Sequence, residues 1–97
     1  MAKPANVILQ FDKSAGYWSA FVADADRAIV RELGNLTVAS LPVKNYSLED
    51  HQFVQLTLNR KSGREFVILI PRDIVVTVIE GKRGPGEDSY FAGGTTK

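Results

Sequence analysis

The pattern of apolar and polar positions is most regular in the C-terminal half of the chain. Apolar side chains dominate residues 53–58 and 65–70, which flank the polar stretch RKSG, and Gly63 in that stretch can supply the positive φ of a tight turn. This pattern predicts a β-hairpin. The apolar stretch IVVTVIE, residues 74–80, follows after the three-residue break PRD, which is too short for a helical crossover. Together the stretches predict a meander of three antiparallel strands.

The N-terminal half contains two different periodicities. Residues 6–11 are apolar and β-branched and end at the turn-forming stretch DKSAG, which predicts a first strand. Between residues 17 and 33, apolar side chains recur at spacings of three and four, and Gly34 follows where a left-handed helix cap is expected, so the pattern predicts an amphipathic helix. The alternative is a pair of strands, YWSAFVA and RAIVREL, around a turn at DAD. Residues 36–43 predict a further strand with Pro42 near its end, at a sheet edge, and KNYSLED predicts a polar connection.

These elements predict an α+β, β-rich fold. It is a small, strongly bent antiparallel sheet or partly open barrel of five to six strands, with one helix near residues 17–33. Residues 1–80 form a single domain in this prediction. Residues 81–97 contain five glycines and one proline with little apolar surface to bury, which predicts a flexible C-terminal tail.

The composition of the chain indicates its cellular environment more than its chemical activity. The chain has 97 residues and a net charge of +1, which by itself favours no polyanionic partner. It has no cysteine, which excludes disulfides and thiolate metal sites and leads us to expect a reducing, cytoplasmic location. The longest apolar run, residues 66–79, is interrupted and shorter than the roughly 20 residues of a membrane helix, so we expect no membrane span.

Few side chains in the sequence could carry catalysis. His51 is the single histidine, and no serine stands in a G-x-S-x-G turn, so we expect neither an enzyme nor a metal site nor a bound cofactor. Basic residues cluster in the hairpin turn at Arg60, Lys61 and Arg64. Such a cluster is either solvated or follows a phosphate backbone.

Two stretches within residues 48–80, LEDHQFVQLTL and FVILIPRDIVVTVI, together resemble the motifs of the Sm/LSm family of small bent β-barrels. LEDHQFVQLTL is similar to the first motif of that family, in which an aspartate ends one strand and a bulky apolar residue begins the next; Asp50 and Phe53 match these positions. FVILIPRDIVVTVI is similar to the second motif, an apolar strand, a one-turn break and a final strand. The chain departs from the motifs at Val54, where the family has asparagine, and at Pro71-Arg72, where it has Arg-Gly.

The resemblance implies an RNA site in the loops. In that interpretation Asp50 orients the loop, Phe53 offers a stacking surface, and Arg72 contacts a phosphate or a base. His51 stacks on a base or faces solvent, and the hairpin-turn residues add positive charge. The competing interpretations are a core position for Phe53 and a surface salt bridge for Arg72.

The resemblance also implies subunits joined in a ring through the strands on either side of the break. The interface residues implied are Phe66, Ile68, Ile70, Ile74, Val76 and Val78. An unpaired apolar edge strand is an aggregation hazard, which independently favours self-association. The sequence therefore predicts a non-catalytic, ring-forming module that binds single-stranded RNA. The alternative is a structural or adaptor protein that pairs its sheet edge or helix with a protein partner and binds no nucleic acid.

Overall fold

The computed structural model describes residues 3–81, so the tail predicted for residues 81–97 lies outside the described residues except for Gly81. Seven strands, one α-helix and one short 3₁₀ helix occur in this part of the chain. In order they are β1 (Ala5–Asp12), α1 (Gly16–Asp24), β2 (Ile29–Leu33), β3 (Leu36–Val43), β4 (Asn45–Ser47), β5 (Phe53–Asn59), β6 (Glu65–Pro71), the 3₁₀ helix (Arg72–Ile74) and β7 (Val75–Glu80).

The first sheet is antiparallel and has the strand order β2-β3-β1-β7. Its centre is β1, which is apolar over most of its length and is buried at every position from Ala5 to Leu9. β1 pairs with β3 along its whole length and with β7 on its other side, where the register shifts between Ile8 and Leu9. A strand buried on both faces needs neighbours on both edges to satisfy its backbone, which explains its central place.

The second sheet has the order β4-β5-β6, and its main unit is the predicted hairpin. Val54, Leu56 and Leu58 of β5 are buried and alternate with more exposed residues, as expected for a strand with one face on the core. The turn is confirmed too, because Gly63 adopts a φ of +94°.

The two sheets share one core, and the chain crosses between them twice. β3 passes into β4 with only Lys44 between them, and the 3₁₀ helix carries the chain from β6 to β7. The predicted meander is therefore wrong at its third strand, because β7 pairs with β1 of the first sheet instead of β6. The break directs β7 to β1, a buried apolar strand that β3 pairs on one side only.

The helix prediction for residues 17–33 is correct only at its beginning. α1 ends at Asp24, Ala25 is already extended, and Arg27 has a φ of +61°, which an α-helix cannot accommodate. Residues 29–33 form β2 instead, as the alternative interpretation proposed for this segment. Gly34 has a φ of +62° in the turn between β2 and β3, so the expected helix cap is a hairpin turn.

Two smaller expectations concern the middle of the chain. The stretch predicted as a polar connection contains the three-residue strand β4, which raises the number of strands above the five to six expected. Pro42 lies in β3 beyond Ser40, the last residue of β3 that pairs with β2, so this part of β3 has an open edge as predicted.

The outline of the predicted fold class is confirmed. Residues 3–81 form a small β-rich α+β fold with one α-helix and two antiparallel sheets of four and three strands, and these sheets do not close into a barrel. Within the same range, no helix has the length and apolar character required to cross a membrane.

Candidate functional site

The seven residues proposed for RNA binding lie in two clusters at opposite ends of the β5-β6 hairpin. Asp50, His51, Phe53 and Arg72 lie at its open end, while Arg60, Lys61 and Arg64 lie at its turn. Each strand has seven residues, and a strand rises about 3.3 Å per residue, so the clusters are about 20 Å apart. The fold therefore does not bring the seven residues into one site.

The loop before β5 is shaped by Asp50. Its Oδ1 accepts hydrogen bonds from the backbone N–H of Gln52 at 2.7 Å and of Phe53 at 3.1 Å. These two backbone hydrogen bonds lower the pKa of the Asp50 carboxyl from its usual value, with a smaller contribution from the charges of His51 and Arg72. Asp50 thus acts as an Asx-type cap that starts β5.

Arg72 connects the break after β6 to the same loop. Its Nε donates to the carbonyl oxygen of Asp50 at 2.9 Å and its Nη2 to that of Leu48 at 2.5 Å, while its backbone N–H donates to the carbonyl oxygen of Gln52 at 2.9 Å. The guanidinium is therefore engaged with backbone carbonyls and holds the loop against the break. Arg72 forms no salt bridge within residues 3–81, so that interpretation is wrong for the described part of the chain, and its contact with RNA stays a prediction.

Beside this loop is an open groove of about 370 Å³, lined by Ser47, Glu49, Asp50, Phe53, Gln55 and Leu69. Its acidic wall bears the carboxylates of Glu49 and Asp50, which repel phosphate. Its apolar wall consists of the half-buried Phe53 and of Leu69, which is 54% exposed. His51 is exposed in the loop. This combination suits an uncharged or apolar chain better than a nucleic-acid backbone.

The basic cluster at the hairpin turn is partly neutralised by the helix. Arg60 forms a salt bridge with Asp24, with Nη1 3.1 Å from Oδ2, and its guanidinium lies 4.7 Å from the ring centre of Phe66. The backbone N–H of Lys61 donates to the carbonyl oxygen of Asp24 at 2.9 Å. Lys61 and Arg64 have exposed side chains. The cluster therefore offers less positive charge than its sequence indicates.

The outer edge of β6 is unpaired within residues 3–81, because β6 is the last strand of its sheet. Backbone hydrogen bonds at both ends of the hairpin show which residues of β6 point their backbone groups toward β5. The N–H of Arg60 donates to the carbonyl oxygen of Arg64, and the N–H of Arg72 donates to the carbonyl oxygen of Gln52. In an antiparallel ladder this pattern alternates, so the even-numbered residues of β6 bond to β5. The N–H and C=O groups of Val67 and Leu69 therefore point outward, away from β5.

The side chains of these same two residues are exposed. Val67 is 58% exposed and Leu69 is 54% exposed, on the face of β6 turned away from the core. Large apolar side chains next to unpaired backbone groups are the features that a strand needs in order to pair with another chain. Val67 and Leu69 form what we call the β6 edge.

Sequence reasoning assigned the alternate residues of this strand to the interface. Ile70 is fully buried, and Phe66 and Ile68 are half-buried and pack against the core, so their side chains point inward. The hairpin register could have distinguished the inward face of β6 from its outward face. Val54, Leu56 and Leu58 alternate with polar residues, and across the turn they pair with Ile70, Ile68 and Phe66.

The remaining predicted interface residues lie in or just before β7, at the edge of the first sheet. Ile74 and Val78 are half-buried and pack against the core, whereas Val76 is 57% exposed. β7 is the last strand of its sheet in the described part of the chain. Its exposed surface has one large apolar side chain, where β6 has two.

A second groove separates α1 from the β6 edge. It has a volume of about 430 Å³ and is lined by Tyr17, Ala20, Phe21, Asp24, Arg60, Phe66, Val67 and Ile68. Phe21 meets Phe66 edge to face with 5.9 Å between ring centres, and Tyr17 is 70% exposed beside them. The helix therefore stands beside the edge of β6 and leaves an open, aromatic space next to it.

The described residues offer no clustered groups for metal binding. No three His, Cys, Asp or Glu side chains in the range 3–81 are placed to hold a metal ion. Comparison of the chain with family models, with curated proteins and with solved structures found no match.

Proposed function

We propose that this protein is a non-catalytic association module that pairs the β6 edge with a strand of another protein chain. The observation that carries the proposal is that Val67 and Leu69 combine exposed apolar side chains with backbone groups that no strand within residues 3–81 pairs. Strand addition uses both features, because the backbone groups give affinity and the alternate side chains give specificity.

The lack of protection at this edge supports the proposal. Proteins that do not use an edge strand usually shield it with lysine, with a bulge or with a covering segment. Within the described range 3–81, the centre of β6 has none of these: the sequence from Phe66 to Ile70 is wholly apolar, and its pairing with β5 is regular. The charged residue of β6 is Glu65, at its first position. An edge of this kind is stable in water when another strand covers it.

The test compares the wild-type chain with Val67→Pro and with a matched control, Leu33→Lys. Proline removes the outward N–H of Val67, whereas Leu33 is a similarly exposed apolar residue, 61% exposed, at the β2-β3 turn. Two measurements are made: the molar mass by light scattering, and the proteins retained from an extract of the source organism on the immobilised chain. We expect association in at least one measurement, lost in Val67→Pro and kept in Leu33→Lys. Absence of any Val67-dependent association would refute the proposal.

A second candidate function is the binding of single-stranded RNA, which the family resemblance implies. One observation favours it: Asp50, His51 and Arg72 of the two motif-like segments lie in one loop cluster. The acidic wall of the neighbouring groove and the engaged guanidinium of Arg72 make it the weaker candidate.

Fluorescence anisotropy with labelled single-stranded RNA separates the two candidates. RNA binding predicts an affinity that falls as salt rises and that weakens when Arg60, Lys61 and Arg64 are changed to serine. The association module predicts no salt-dependent RNA binding and unchanged protein association in the same triple variant. The Val67→Pro variant would bind RNA like the wild type if RNA binding is a function of the loops alone.

A further inference from the structure

We infer that the chain which covers the β6 edge is a second copy of this protein, with the two β6 strands antiparallel about a two-fold axis at Ile68. The inference rests on the proposed function and names its partner. It describes a two-fold dimer in which the three-stranded sheets of two subunits become one continuous sheet.

The backbone alternation limits the possible registers. Two antiparallel edges bond directly only when outward-pointing residues face each other, and in β6 these residues are odd-numbered. The axis can therefore pass through Val67, Ile68 or Leu69. With the axis at Ile68, Val67 exchanges both of its backbone hydrogen bonds with the partner's Leu69, and Leu69 does the same with the partner's Val67.

The side chains select the axis at Ile68. In that register each exposed Val67 lies directly across from the partner's Leu69, so both exposed apolar residues gain an apolar cross-strand neighbour. An axis at Val67 would place Leu69 across from the partner's Glu65. An axis at Leu69 would place Val67 across from the partner's Pro71, which has no N–H to donate to the Val67 carbonyl. With the axis at Ile68, Pro71 faces Glu65 at the end of the edge, and both backbone hydrogen bonds of Val67 and of Leu69 are kept. A strand that is self-complementary in this way is what an isologous interface requires.

The charges and the free space at the centre of the edge agree with this arrangement. Glu65, at the end of the edge, is neutralised within its own subunit by Lys44 at 2.6 Å, and Arg60 is neutralised by Asp24. The centre of the edge is uncharged, so no unpaired charge is buried there when two copies meet. The groove of about 430 Å³ beside Val67 and Ile68 leaves room for the inward-facing side chains of an incoming strand.

Single cysteine variants test the register directly, because the natural chain has no cysteine. On the axis, Ile68 faces its own copy in a pair without direct hydrogen bonds, with Cα atoms about 4.5 Å apart, a separation that a disulfide can bridge. Val67 and Leu69 lie diagonally from their own copies at about 7–8 Å, beyond easy bridging. Val76→Cys on β7 serves as a control of similar exposure.

Under mild oxidation we expect Ile68→Cys to form a covalent dimer in most of the protein. The yield of covalent dimer should be at least tenfold lower for each of the other variants, Val67→Cys, Leu69→Cys and Val76→Cys. Dominant cross-linking of Val67→Cys or of Leu69→Cys would overturn the axis, and dominant cross-linking of Val76→Cys would place the contact at the other sheet edge. Each of these outcomes contradicts the inference.

The unmodified protein supplies a measurement that does not depend on the cysteine variants. Light scattering at submillimolar concentration should give the mass of two chains for the wild type and of one chain for Val67→Pro. A wild-type monomer, or a dimer that survives Val67→Pro, would overturn the inference. If the wild type is monomeric and still retains other proteins through Val67, the second-copy inference fails alone; if both associations are absent, the proposed function fails with it.

Discussion

Two proline substitutions at adjacent positions of β6 should destabilise the isolated chain to very different extents. Proline lacks an N–H and fixes φ near −65°. The N–H of Ile68 bonds to β5, where Ile68 pairs with the fully buried Leu56, whereas the N–H of Val67 points away from β5. Ile68→Pro therefore breaks the ladder between β5 and β6, and Val67→Pro removes an N–H that pairs with no strand among residues 3–81.

The structure gives the size of each effect. Ile68→Pro leaves a carbonyl of the buried β5 strand without its donor, which costs about 1–3 kcal/mol, and it removes part of a half-buried side chain that packs on the core, for about 1–2 kcal/mol more. We expect a total loss of about 2–5 kcal/mol. Val67→Pro should cost less than about 1 kcal/mol, as edge positions tolerate proline.

Urea unfolding at low protein concentration measures both variants as monomers. A urea dependence of about 1–3 kcal/mol per molar is usual for small domains, so Ile68→Pro should lower the midpoint by about 1 M or more, and Val67→Pro by much less. Equal destabilisation by the two substitutions would refute the assignment of outward and inward backbone groups on β6. At high concentration Val67→Pro has a large effect on a different quantity, the dimerisation affinity. It should weaken dimerisation roughly 5- to 150-fold, because the dimer loses two hydrogen bonds of about 0.5–1.5 kcal/mol each.

Three further predictions concern the core, the loop and the charge at the edge. Leu56→Ala should lower the free energy of unfolding by about 2–5 kcal/mol, against less than about 0.5 kcal/mol for Leu33→Ala, because Leu56 is fully buried and Leu33 is 61% exposed; chemical denaturation measures both. Since the pKa of Asp50 is lowered in the folded state, its stabilising effect is present above the unfolded pKa of about 3.9 and is lost as the pH falls through the folded pKa. The stability difference between wild type and Asp50→Asn should therefore shrink in acid titrations below about pH 4. In the proposed dimer Arg64 lies across from the partner's Arg72, so Arg64→Glu should tighten self-association severalfold at low salt, and a sedimentation experiment that shows weakening would contradict that register.

The parts of the fold that the sequence predicts well are those decided by neighbouring residues. The hairpin of β5 and β6 follows from alternating apolar positions on either side of a short polar turn with Gly63, and its register is local. The break at Arg72–Ile74 was visible for the same reason. By contrast, the pairing of β7 with β1 joins residues about 70 positions apart, and nothing in the local pattern of either strand specifies the other.

The end of α1 shows a different limit. The apolar spacing continues beyond Asp24, but the positive φ of Arg27 and the contacts of residues 25–26 with the hairpin turn end the helix there. Helical spacing and two short amphipathic segments can give the same apolar pattern, so tertiary contacts decide between them.

The β6 side chains that the sequence assigned to a subunit interface point inward. A strand such as EFVILIP is apolar on both faces, so composition alone does not say which face meets the core. The alternation in β5 carries that information through the hairpin register, and it makes Val67 and Leu69 the outward pair. The contacts of Arg72 with the carbonyl groups of Leu48 and Asp50 depend on loop geometry, which the sequence does not encode in any simple pattern.

Amide hydrogen exchange along β6, measured as a function of protein concentration, tests the central claim most directly. The amides of Phe66 and Ile68 bond to β5 and should be protected at every concentration. The amides of Val67 and Leu69 should exchange fast in dilute solution and become protected together as the concentration rises, because a second β6 strand covers them. Fast exchange of Val67 and Leu69 at concentrations where the protein is dimeric would show that the dimer forms elsewhere and would contradict the account.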